Sequence, residues 1–300
     1  MPLFKFQSSS IQGSAIKWGF VLPTLIFLIA LNVFPLFYNV ILSFTDASLL
    51  NPARHFVGGR NFERVFSDPI YARAMRTTGA FVFFAVAIEL VLGFVLALAL
   101  KKPFFGKTVV LTILLIPMML SPAVMGLFWN LILDAQTGIL NQTLGAIRLP
   151  QPQWRTDPAI KLSSLVLIDV WMWTPFMMLI ALAGLNAIPN YIYEAAEIDR
   201  ASRWSVFRRI TLPMCAPLLL LAVLFRTTDA LKQFDLVMAV TGPNDPKTQT
   251  LSALLYQRML QSHQVGLGSA YAVIVLVVVI ALATVFTRYL DYIARRQGRN

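Results

Sequence analysis

The 300 residues are 57% hydrophobic and only 13% charged, and the mean hydropathy is +0.69. A soluble domain carries roughly a quarter charged residues, so a water-soluble globule is excluded and most of the chain is expected to meet lipid or other buried helices. The formal charge of +11 reads as cationic loops at a membrane face, with no nucleic acid as partner. The single Cys215 rules out an intrachain disulfide, and His55 and His263 stand too far apart in sequence for zinc-ligand spacing.

Residues 1–17 are expected to form a cytoplasmic N-terminal segment. The first apolar run, 18–44, is too long for a signal peptide, contains Asn32 and Pro35 and ends without a small-x-small site, so it reads as a retained span. Further apolar runs lie at 79–100, 109–133, 162–184, 210–231 and 269–290, each long enough to cross the hydrocarbon core as a helix. Helices are required because unpaired backbone groups are costly in lipid. The expected fold class is an all-α integral membrane protein, with six transmembrane helices over 18–290 and a tail at 291–300. Pro23, Pro35, Pro117, Pro122, Pro175 and Pro217 fall within the spans. They predict bends, which suit either a protein that opens a cavity or ordinary membrane packing.

Orientation follows from Lys and Arg. With both termini cytoplasmic, 13 basic residues lie inside and 11 outside, and Arg226 remains within a span. The inside segments are much shorter, so their basic density is higher, and the loop at 101–108 holds Lys101, Lys102 and Lys107 with no acid. This pattern places both ends, and the loop at 190–209, in the cytoplasm.

That loop is charged and amphipathic between two apolar segments. Asn190 is positioned to cap a helix beginning near Tyr191, with Glu194 and Glu197 near its positive end. Tyr191, Ala195 and Ile198 fall on adjoining turns, as do Ile192, Ala195, Ala196 and Asp199. The paired alanines predict a low-relief face that would lie in a partner's groove, with Glu194 as a directional charge at its edge. The alternative is a solvated interfacial helix with no partner.

Glu194-Ala195-Ala196, three residues, Arg200, nine residues, then Ile210-Thr211-Leu212-Pro213 resembles the EAA loop of ABC importer permeases. That pattern is Glu-Ala-Ala, three residues, Gly, nine residues, Ile-x-Leu-Pro. The spacing matches throughout, and the departure is Arg200 in place of the Gly that permits a bend. Leu22-Pro23, Phe34-Pro35-Leu36, Leu42-Ser43-Phe44-Thr45-Asp46, the segment Phe56 to Phe62, Asp68-Pro69, Thr241-Gly242-Pro243 and Thr250-Leu251 are similar to the carbohydrate branch, of maltose and glycerol-3-phosphate type. They are closer to the first permease of the pair than to the second. The resemblance implies a type I ABC importer permease fold in a prokaryotic inner membrane. It implies as partners a second permease subunit, two ATPase subunits and an external solute-binding protein, besides membrane lipid. It further implies that Glu194, Ala195, Ala196, Asp199, Arg200 and Ala201 couple to the ATPase, and that ATP and Mg are bound by those partners and no cofactor by this chain.

Gly106-Lys107-Thr108 ends like a phosphate-binding loop, but the required first glycine falls at Lys101 and no strand precedes it. Neither does any nucleophile–base motif point to an enzyme. Glu89, Asp169, Arg226 and Asp229 lie within expected spans, where each needs a partner or a wet cavity. Arg226 and Asp229 are either a local i,i+3 pair or a polar lining for a solute. Asp169, Trp173 and Phe176 share a helical face. A carboxylate beside aromatic rings suits a sugar, whereas the bland reading makes Trp171 and Trp173 interfacial anchors and pairs Asp169 with another helix. Two further functions compete with the importer: an ion-coupled carrier using Asp169 or Asp229, and a scaffold that recruits a partner without transport.

Overall fold

The computed structural model describes residues 10–51 and 53–297, so the ends of both expected terminal segments lie outside the described residues. The described chain is almost wholly helical. Helix α1 (Ser10–Leu28) passes through a π turn at Ile29–Val33 into α2 (Phe34–Ser43). The wide turn lies just ahead of Pro35, whose ring leaves an upstream carbonyl without its usual N–H. Asn32 returns its side-chain amide to the Leu28 carbonyl at 3.1 Å. This first span is exposed along its whole apolar window, and its C-terminal part, α2, packs on the last helix.

Helix α3 (Arg60–Ser67) is short and amphipathic. Its buried Asn61 donates to the carbonyls of Ser43 at 2.9 Å and Thr45 at 2.8 Å, which fixes the C-terminal end of the first span. Helix α4 (Pro69–Leu100) begins ten residues before the expected boundary at 79. Asp68 accepts from the Ile70 N–H at 2.8 Å, and Pro69 occupies the first turn, a strong start that hydropathy does not register. Thirty-two residues reach about 48 Å, so α4 extends beyond a core about 30 Å thick, and the exposed Arg73 and Arg76 ride on that extension.

The expected span at 109–133 is broken more sharply than a proline bend. It is a pair, α5 (Lys107–Met119) and α6 (Pro122–Ile132), bent by 97°. Leu120 and Ser121 are both extended. A residue before proline is pushed out of the helical region, so Pro122 breaks the span where a lone internal proline would only kink it.

Helix α7 (Ile139–Ala146) leads through a loop to α8 (Lys161–Asn186). The apolar window of α8 is 67% buried, as expected of a helix apolar on all sides. Lys161 at its head pairs with Asp245. Burial pushes the Asp245 carboxyl up, but the Lys161 hydrogen bond and charge, with the N–H groups of Lys247 and Thr248, outweigh it and hold the carboxyl below its usual range.

Then follow α9 (Asn190–Ile198), α10 (Arg203–Val206), a π turn at Phe207–Thr211, α11 (Leu212–Ala230), α12 (Asp235–Val240), α13 (Leu251–Tyr256), a π turn at Gln257–Gln261, and α14 (Val265–Gln297). Five helices are long and apolar enough to span, six if the bent pair counts as one. The core lies where α4 and α11 pack on α8. Gly93 permits that approach: a Cβ there would stand 2.6 Å from the Met177 Cβ. Asp68 also accepts from Arg258 at 2.7 Å and from the Tyr271 hydroxyl at 3.0 Å, joining the start of α4 to the last two helical segments.

Candidate functional site

Two sites stand out, one at the loop between α8 and α11 and one inside the bundle. In the loop, Pro189 occupies the cap position of α9 and Asn190 is the first helical residue, with no side-chain cap. This corrects the expected Asn190 cap. Pro189 sits in extended geometry and its carbonyl accepts from Ile192 at 3.2 Å, so the chain enters the helix without a polar side chain.

The end of α9 explains Arg200. The Arg200 N–H donates to the Glu197 carbonyl at 3.0 Å and the Ala201 N–H to the Ala196 carbonyl at 2.9 Å. These two bonds make a Schellman turn, whose C′ residue is left-handed and usually glycine. Arg200 holds that position with φ +50°. The bend is therefore kept, and the arginine bears its strain. Arg200→Gly should leave the turn intact and match or exceed the native stability. Arg200→Val should cost about 1–2 kcal/mol, because a β-branched residue tolerates this region worst. Thermal unfolding of the purified chain checks both.

After the turn, Ser202 caps α10 by accepting from the Ser205 N–H at 3.2 Å. The helix then runs from Arg203 to Ala230. The inner side of α9 rests on the bundle through Ile192 and Tyr193, with Ala196 buried. The Lys101 ammonium lies 3.9 Å from the Tyr193 ring centre, so the lysine-rich loop and α9 occupy the same side of the molecule. Tyr193 also meets the Thr211 hydroxyl at 3.3 Å. The alanine pair is split: Ala196 faces the bundle and Ala195 faces out. Tyr191, Ala195 and Ile198, the last 82% exposed, form an outward stripe flanked by exposed Glu194 and Glu197. Asp199, Arg200 and Ala201 are exposed beside it.

The second site centres on Arg226 of α11, which is 2% exposed. Its Nε and Nη2 donate to the two oxygens of Glu89 on α4 at 2.8 and 2.9 Å. Nη2 also donates to Asp169 on α8 at 2.6 Å, and Nη1 to Asp229 at 2.9 Å. Gln233 donates to the other Asp169 oxygen at 3.1 Å. The guanidinium carbon lies 4.7 Å from the Trp173 ring centre. A two-pronged arginine–carboxylate contact is among the stronger pairings available to a buried charge.

A cleft of roughly 380 Å³ opens beside this cluster, lined by Trp173, Phe176, Phe225, Arg226, Thr228, Asp229 and Lys232. Four of the five residues singled out from sequence for a solute path reach it. Asp169 does not line it, being wholly buried behind Arg226. The local Arg226–Asp229 pair is present, within a larger network. Trp171 turns away to meet Trp129 at 5.5 Å. Sequence reasoning left out Glu89 as a site residue, although a lone carboxylate in a long apolar run signals a hidden partner. Among the described residues no group of three His, Cys, Asp or Glu side chains is placed to hold a metal.

A family model described as the binding-protein-dependent transport system inner membrane component matches residues 89–299. The chain is 32% identical over 283 residues to the trehalose/maltose transport system permease protein MalF of Thermococcus litoralis, covering 94% of this chain and 96% of that one. It is 32% identical over 269 residues to the sulfoquinovosyl glycerol transport system permease protein SmoG of Agrobacterium fabrum, covering 89% and 87%. In fold it is similar to a chain of a bacterial alginate ABC transporter crystallised with an alginate pentasaccharide-bound periplasmic protein, with a TM-score of 0.82, 21% identity and 97% of both chains covered.

Proposed function

The chain belongs to the family of binding-protein-dependent transport system inner membrane components, and on that premise we propose that it carries a carbohydrate inward as one of two unlike permeases of its importer. It is a multi-pass permease subunit of an ABC importer, a transport protein and not an enzyme, and it works with an ATPase and a solute-binding protein. In the proposed assembly a second permease completes the pathway, two ATPase subunits hold ATP and its magnesium, and the binding protein delivers solute from outside. The names of the relatives, trehalose/maltose and sulfoquinovosyl glycerol permeases, support the carbohydrate class.

The observation that carries this reading is α9. Its inner side is anchored on α4, α8 and the start of α11, its outer stripe is apolar and acid-flanked, and a two-bond turn joins it to a helix reaching Ala230. A push on the stripe is thereby delivered to the helix that bears Arg226. In this reading Glu194, Ala195, Asp199, Arg200 and Ala201 face the ATPase, and Ala196 seats the handle. Trp173, Phe176, Arg226 and Asp229 line the solute path, with Asp169 behind them. Both termini and the loop lie in the cytoplasm, in keeping with Lys101 beneath Tyr193 and with the dense basic charge of that side. An ion-coupled carrier is not favoured, since the relatives are ABC permeases and both Asp169 and Asp229 are engaged by Arg226.

Site-directed crosslinking tests the reading. The native Cys215 is fully buried in α11, so Ala195→Cys places one reactive thiol on the stripe. In membranes holding the whole importer it is expected to crosslink to the ATPase. Absence of that adduct, or labelling of the thiol by an impermeant reagent applied outside intact cells, would overturn the docking role.

A further inference from the structure

A guanidinium has five N–H donors. At Arg226 four are taken: the Nε hydrogen and one Nη2 hydrogen by Glu89, the other Nη2 hydrogen by Asp169, and one Nη1 hydrogen by Asp229. Among the described residues one Nη1 hydrogen is left, on a residue that is 2% exposed yet lines the cleft. Among the described residues Asp229 accepts through Oδ2 alone, and its side chain is 55% exposed and lines the cleft, so its Oδ1 is left to the cleft. The wall thus presents one donor and one acceptor on adjoining groups, with the rings of Phe176 and Phe225 beside them.

We propose that this cleft takes an uncharged vicinal diol, one hydroxyl accepting from Arg226 Nη1 and its neighbour donating to Asp229, and that Glu89 is the positioning residue that holds the guanidinium for it. Two adjacent hydroxyls match a donor beside an acceptor, and the C–H face of a sugar ring packs on the aromatic rings. An anionic sugar fits poorly. The charge of Arg226 is already met by Glu89, Asp169 and Asp229, and the cleft's other cation, Lys232, stands three residues beyond the Asp229 carboxylate. Three carboxylates stand against two cations, so no positive surplus awaits a phosphate, sulfonate or uronate. Glu89 does not line the cleft. It acts through its two-pronged grip, which fixes the guanidinium in one plane. The inference rests on the carbohydrate reading above and narrows it to neutral solutes.

The test uses the complex of both permeases and the ATPase in nanodiscs, without binding protein, carrying Thr228→Cys in this chain as a thiol on the cleft wall. The rate of alkylation of that thiol is followed against a neutral panel (trehalose, maltose, sucrose, sorbitol) and an anionic panel (glucose 6-phosphate, trehalose 6-phosphate, glucuronate). At least one neutral member should slow alkylation, and each anionic member should need about tenfold more, roughly the value of one charge-assisted hydrogen bond. Adding Glu89→Gln should raise the protecting concentration of the neutral solute by about tenfold with the sugar-free alkylation rate unchanged. A merely structural Glu89 would shift the sugar-free rate instead. Protection by an anionic member equal to that by every neutral one overturns the inference, as does an unaltered protecting concentration in Glu89→Gln. If the full importer takes up a neutral sugar with ATP while no sugar protects the thiol, the cleft assignment falls and the carbohydrate reading survives. If it takes up no carbohydrate at all, the carbohydrate reading falls.

Discussion

Glu194→Lys is expected to reduce ATP-driven uptake by the reconstituted importer to near background while the chain inserts at its normal level. Glu194 is exposed on α9 and has no ion pair among the described residues. Within the chain its replacement therefore costs little, about 0.3–1 kcal/mol from placing a cation near the positive end of a helix. At an interface the same change acts differently. Reversing a charge at a docked edge creates a like-charge or unpaired contact, and a hot-spot residue is worth about 2–4 kcal/mol. That corresponds to roughly a 30- to 1,000-fold loss of association. Membrane content by immunoblot, ATP-dependent uptake in proteoliposomes and co-purification of the ATPase separate the two effects. Normal uptake by a correctly inserted variant would refute the coupling role of this face.

Most of what positions the handle is local, and local signals were legible. Long apolar runs located the spans, and the spacing from Glu194 to Pro213 located the loop. Where local grammar has two solutions, the sequence misleads. Asn190 is a good cap residue, yet Pro189 in extended geometry starts the helix one residue earlier. Pro117 and Pro122 look alike in an apolar run, but only Pro122 follows extended residues and turns the chain by 97°. The start of α4 was hidden because Arg73 and Arg76 look like loop residues to a hydropathy scan. The cation cluster was half legible. Arg226 and Asp229 are neighbours on one helix, so spacing reveals that pair. Glu89 and Asp169 lie 137 and 57 residues from Arg226, and no periodicity says which helices carry them together. Gly93 lets α4 and α8 meet closely, a packing fact with no local signature.

The largest effect on stability is expected at Arg226. Arg226→Leu removes the only cation that, among the described residues, contacts two wholly buried carboxylates, those of Glu89 and Asp169. Breaking a buried pair from one side costs about 3–5 kcal/mol, because the remaining charge is left without compensation. In a bundle surrounded by lipid, water cannot readily reach it. The variant should insert poorly and unfold at a markedly lower temperature in detergent. Replacing the whole set is a different experiment. In Arg226→Leu with Glu89→Leu and Asp169→Leu, no buried charge remains at the junction of α4, α8 and α11, and apolar side chains can be about as stabilising there as an ion pair. Most of the lost stability should return. Uptake should not, since the donor on the cleft wall is gone and Asp229 faces the cleft without its partner. Thermal unfolding and ATP-driven uptake, measured on the single and triple variants, should therefore part company: stability recovers and transport stays absent. A single variant as stable as the parent would show that the cluster is not load-sharing between the three helices. A triple variant that transports normally would show that the charges serve folding alone.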